Sequence, residues 1–134
     1  MCVEGARAVQ EQAIRKIDSD QLRVLVVWLP NFPGDDRIKA CASTKTVPDP
    51  RATHYWDATA SVSKLYGNVL GLPPAKQFAW DTYMIFGPDA EWTDSPPTPN
   101  TWMHQMGEAL GRDHPCWLDS DELRRAVDRL LLLP

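Results

Sequence analysis

Val24-Leu25-Val26-Val27-Trp28-Leu29 puts six apolar side chains in a row with no polar residue between them. A strand with one wet face alternates with period two. A run without alternation reads as a strand covered on both faces, the habit of parallel sheets flanked by helices. The segment ahead of it supplies a helix. Val3, Ala6, Val9, Ala13, Ile14 and Ile17 recur at three- and four-residue steps, with Glu4, Arg7, Gln10, Glu11, Arg15 and Lys16 between them. An amphipathic helix from Val3 to Ile17 feeding an apolar strand over 23–29 points to an α/β fold.

The rest of the chain extends that alternation. Pro30, Pro33 and Gly34 break the strand, and Asp35 is expected to cap a short helix through about Ser43 with Ile38, Cys41 and Ala42 inward. Pro48-Asp49-Pro50 forces an extended entry into the aromatic strand Thr53-His54-Tyr55-Trp56, which ends at Asp57. A helix from about Ala60 to Leu70 follows, with Val62, Leu65, Tyr66, Val69 and Leu70 inward and Gly71 as its stop. The strand Trp80 to Phe86, the turn Gly87-Pro88-Asp89-Ala90 and a strand over 90–93 read as a hairpin. The proline-rich stretch Asp94 to Asn100 is short for a domain linker, and Asn100 is placed to cap a helix from Thr101 to Leu110. A last helix opens with Asp119 three places ahead of Glu122, in capping-box spacing, and buries Leu123, Ala126, Val127, Leu130 and Leu131. The expectation is one domain over 1–134. Its single mixed sheet has strands near 23–29 and 53–57 parallel and 80–86 and 90–93 antiparallel, with helices on both faces.

Composition narrows the function. The chain has 134 residues, 43% apolar, enough for one core. Its net charge is -4 and its 14 Lys and Arg are scattered, which argues against a nucleic-acid partner, because phosphate binding needs clustered cations. No apolar run approaches the roughly 20 residues that cross a bilayer, so no membrane segment is expected. Cys2, Cys41 and Cys116 are too few and too far apart for a disulfide framework, and an N-terminus bearing Arg and Glu is unlike a signal peptide. A reducing cytoplasm fits, and no cofactor is expected.

Cys2 stands at the opening of the first helix, where unsatisfied N–H groups and the positive end of the helix dipole favour a thiolate. The order of elements, with Tyr55-Trp56-Asp57, then Val62-Ser63-Lys64-Leu65-Tyr66-Gly67, then the strand to Phe86 and its turn, resembles the thioredoxin-like superfamily, nearest its peroxiredoxin and cytochrome-maturation branch. The Tyr-Trp-Asp, Ala-Trp-Asp and Trp-Met-His segments are similar to those of bacterial thioredoxin-like proteins. The resemblance runs from Cys2 to about Thr93. It implies a thioredoxin-like mixed sheet whose N-terminal strand is missing, hence a truncated chain. It also implies thiol-disulfide exchange through Cys2 with a protein thiol or disulfide partner. Trp80 stands where the family places a proline, and no second cysteine accompanies Cys2.

Other candidate residues carry two readings each. His54, Asp57, His104, His114 and Cys116 lack paired metal-ligand spacing, so no metal site is expected. Asp57 and Asp81 near strand ends suit turns or caps, or proton transfer beside a thiol. The six tryptophans suit core packing or a binding groove, of which Trp80, Trp102 and His104 would be the members. Two functions stand together: a thiol-disulfide oxidoreductase working through Cys2, and a non-enzymatic thioredoxin-fold module that binds through its aromatic surface.

Overall fold

A computed structural model describes residues 3–132. Its elements in order are α1 (Glu4–Gln12), β1 (Val24–Trp28), α2 (Arg37–Ser43), β2 (Ala52–Trp56), α3 (Ser61–Val69), β3 (Thr82–Ile85), β4 (Thr101–His104), α4 (Gly107–Leu110) and α5 (Ser120–Leu131). The fold is mixed α/β. Short 3-10 turns follow α1 at Ile14–Lys16 and α2 at Thr44–Thr46, and a third, Pro74–Lys76, follows α3.

β1 and β2 are parallel, with Val24 opposite Ala52 and Trp28 opposite Trp56, as the α/β reading requires. β3 and β4 are antiparallel, but β4 is not the segment expected. Residues 90–93 lie outside any strand, and Thr101–His104, read as the first turn of a helix, is the partner of β3. Asn100 explains the difference. Its Oδ1 accepts the Gly87 N–H at 2.6 Å while its own N–H donates to the Ile85 carbonyl at 2.8 Å, so the side chain expected to cap a helix closes the hairpin. The turn itself stands as read, with the Ala90 N–H on the Gly87 carbonyl at 3.2 Å. Among the described residues the expected single mixed sheet is two separate two-stranded sheets.

The covered layer is β3–β4, and the alternation of side chains along a strand shows how. On one face Tyr83, Ile85 and Met103 join Val9, Ala13 and Ile14 of the first helical segment, Leu123 and Ala126 of α5, and Val24, Val26 and Ala52 of the parallel pair. On the other, Met84 and Trp102 meet Tyr66, Leu72, Ala79 and Met106. The hairpin is therefore the wall between two apolar clusters.

β1–β2 is covered on one side alone, which corrects the expectation drawn from its unbroken apolar run. Leu25 is 68% exposed and Tyr55 52% exposed, and both point away from the core that takes Val24, Val26 and Ala52. α2 is also turned the other way. Ala40 is its buried residue, while Ile38, Cys41 and Ala42 are exposed. Its N-cap is Asp36, accepting from the Lys39 N–H, whereas Asp35 accepts from the Asn31 and Phe32 N–H groups. Tyr66 is buried as expected, with Val62, Val69 and Leu70 packed beside it, whereas Leu65, expected inward, is exposed and Ser63 and Gly67 are buried. Gln10, read as polar surface, is buried in α1.

Local chemistry fixes the remaining ends. Gly71, at φ +65°, ends α3 with its N–H on the Asn68 carbonyl and the Leu72 N–H on the Gly67 carbonyl, a left-handed stop that glycine adopts without strain. Asp119 caps α5 by accepting from the Asp121 and Glu122 N–H groups. Arg51 binds the exit of the first helical segment to the entry of β2. Its guanidinium donates to the Ile14, Ile17 and Ser19 carbonyls and pairs with Asp49 at 2.9 Å.

Candidate functional site

α3 sets one wall of the site. The Ser63 hydroxyl donates to the Ala79 carbonyl, and the Ala79 N–H returns a bond to the Ser63 carbonyl. One turn on, a Cβ on Gly67 would lie 2.6 Å from the Gln77 carbonyl carbon, so glycine lets the 77–79 segment lie flat on the helix. Trp80 follows directly. Asp81 then adopts φ +45°, uncommon outside glycine, and its carbonyl accepts the Gln105 N–H at 2.9 Å. These bonds seat Trp80 and Gln105 side by side.

Together with Asn31, Phe32, Lys76, Gly107, Glu108, Arg112 and Trp117 they line an open groove of about 560 Å³. Asn31 and Phe32 belong to the loop leaving the carboxyl end of β1, the position where open α/β sheets bind ligands. The Arg112 guanidinium lies 5.8 Å from the centre of the Trp117 ring, within cation–π range. Lys76 donates to the Glu108 carbonyl at 3.2 Å.

Behind the groove lies a pair of histidines. His104, at the end of β4, is fully buried, and its ring packs edge-on against Trp117 with centroids 5.6 Å apart. The Met106 N–H donates to His104 Nδ1 at 3.1 Å, which leaves the ring proton on Nε2. That Nε2 lies 3.0 Å from His114 Nδ1, which also accepts the Cys116 N–H at 3.1 Å. Burial first, and then the neighbouring His114, hold the His104 imidazole below its usual range, so it stays neutral. Trp102 is half-buried and packs beside both imidazoles.

Of the residues expected to form a groove, Trp80 lines it, whereas Trp102 and His104 stand behind its wall. Trp117, Phe32 and Arg112 were not singled out for it. Their convergence depends on loops at 29–36 and 111–118, which carry no periodic signal. Cys2, the expected nucleophile, lies outside the described residues. Cys41 and Cys116 are free thiols. His54 lies between Trp28 Nε1–H, which donates to its Nδ1, and the Val47 carbonyl. Asp57 makes a turn, accepting from the Val62 N–H at 2.8 Å. Among the described residues no three His, Cys, Asp or Glu side chains converge as a metal site. No helix among them is long and apolar enough to cross a membrane.

No family model, curated protein or solved structure matches the chain. The site's own geometry carries the argument from here.

Proposed function

We propose that the chain is a thioredoxin-like binding module of the cytoplasm, whose groove takes a ligand combining a planar apolar group with a negative charge. The observation that carries this reading is the company of Trp80, Trp117 and Phe32 with two cations, Lys76 and Arg112, against the single carboxylate of Glu108 in one groove. Rings supply apolar surface at little entropic cost, and cations beside them select for an anionic group. The thioredoxin-like part rests on the sequence resemblance carried by Tyr55-Trp56-Asp57, Val62 to Gly67 and the strand to Phe86.

Naphthalenesulfonate is a suitable probe, because it has a fused ring and a charge that stays fixed across the working pH range. Its binding should quench tryptophan fluorescence at neutral pH. Trp80→Ala and Arg112→Ala should each weaken it, and Trp92→Ala, outside the groove, should not. No binding, or equal loss in all three variants, would sink the reading.

A second reading keeps thiol-disulfide exchange through Cys2 with a protein thiol or disulfide partner. Its support is that Gly5, in the first turn of α1, packs so closely on Tyr83 and Gln105 that a Cβ would overlap both side chains. Gln105 lines the groove, so the opening turn of α1 adjoins it. A thiol probe should then label Cys2 faster than the exposed Cys41, with little reduction of insulin disulfides, because no second cysteine accompanies Cys2. Labelling of Cys41 ahead of Cys2 would leave the binding reading alone.

A further inference from the structure

The two histidines behind the groove are bonded in a way that leaves no lone pair for another proton. His104 Nδ1 is occupied by the Met106 N–H. His104 Nε2 therefore carries the proton, and it points at His114 Nδ1. His114 Nδ1 also receives the Cys116 N–H, so the proton of His114 sits on its Nε2. Adding a proton to either ring sets an N–H against an N–H. His104 is sealed from solvent, whereas His114 is only half-buried, so water reaches the second ring first.

We infer that His104 and His114 form a proton-sensitive latch on the groove: protonating His114 breaks its two ring bonds and loosens the turn that carries Arg112, between the Gly111 N–H bond to the Gly107 carbonyl and the Trp117 N–H bond to the His114 carbonyl. The inference rests on the groove reading for its consequence, but not for the latch itself. The release is local. Backbone bonds from the His104 N–H to the Cys116 carbonyl and from the Leu118 N–H to the His104 carbonyl, at 2.8 and 2.9 Å, hold residues 116–118 against β4. Trp117 thus keeps its place while Arg112 leaves it. The charged and titratable side chains on the elements around the pair are Asp81 ahead of β3, Glu108 in α4, and Arg112, Asp113 and Cys116 in the loop.

His114→Asn supplies the test, because its Oδ1 accepts from His104 Nε2–H and the Cys116 N–H but takes up no proton in this range. Between about pH 7.5 and pH 5, spanning the histidine range, the wild-type affinity for naphthalenesulfonate should fall about tenfold, the scale of one charged contact. The lower value should match Arg112→Ala at neutral pH. His114→Asn should stay flat. Hydrogen exchange at the Cys116 amide, corrected for its intrinsic pH dependence, should lose protection on acidification in the wild type and keep it in His114→Asn. The nitrogen shifts of the His114 ring in the wild type give the same answer without a variant. Unchanged Cys116 protection and unchanged ring shifts down to about pH 5 would overturn the latch. Failure of the probe to bind at neutral pH would instead overturn the groove reading, with exchange and ring shifts still deciding the latch.

Discussion

Gly67 shows how much a single position can decide. In the middle of a helix glycine ordinarily costs about 1 kcal/mol relative to alanine, yet here a Cβ would meet the Gln77 carbonyl carbon at 2.6 Å and the Phe78 nitrogen at 3.0 Å. Backbone cannot step aside as a side chain can. Gly67→Ala should therefore destabilise the protein by about 1–3 kcal/mol, the range for overpacking, and it should weaken naphthalenesulfonate binding because the 77–79 segment holds Trp80. A melting temperature equal to or above the wild type would show that the segment is free to move. Gly67 was visible in the sequence as part of Leu65-Tyr66-Gly67, but only as a pattern. The close approach that demands glycine comes from residues 77–78, and no local periodicity records it.

At the scale of elements, periodicity located more than it oriented. α3, α5 and the parallel pair fall where the apolar spacing put them, whereas α1, expected through Ile17, ends at Gln12 and is followed by a 3-10 turn over Ile14–Lys16. Thr101–His104 did not, because Met103 faces one cluster and Trp102 the other, so neither face is polar and the period-two signal is erased. The exposed Leu25 shows the converse limit, since a run of apolar residues states what a strand could bury but not whether a second layer is there to cover it. Gln10 was misplaced for a related reason: its position in α1 is polar by composition and buried by packing. Its Oε1 is buried without a hydrogen-bond partner. Gln10→Met, similar in length and shape, should raise stability by about 1 kcal/mol by removing that unsatisfied acceptor. Calorimetry showing a lower melting temperature would mean that the amide contributes a bond that offsets its burial.

For the whole molecule, stability should depend on pH in two windows with separate causes. Burial and the nearby His114 depress the His104 imidazole, so the unfolded chain takes up a proton that the fold resists. That contribution is full above about pH 6.5, the unfolded histidine value, and is lost as pH falls from there through the lower folded value. Asp49 is depressed chiefly by its hydrogen bond from Arg51. Its contribution is full above about pH 3.9 and is lost as pH falls through the folded value. Chemical denaturation across this range should show an upper step that disappears in His104→Gln and a lower one that disappears in Asp49→Asn. A flat profile in the wild type between about pH 7 and pH 5 would remove the first assignment. The site was legible in part on this scale: Trp80 was singled out for the groove it lines, while the loops that bring Phe32, Arg112 and Trp117 to it were not. The hairpin β3–β4, as the wall shared by both clusters, has a thermodynamic consequence. Neither cluster can melt while leaving the other its inner surface, so heat should produce one calorimetric transition, and the amides of Tyr83 and Met103 should exchange only when the entire chain opens.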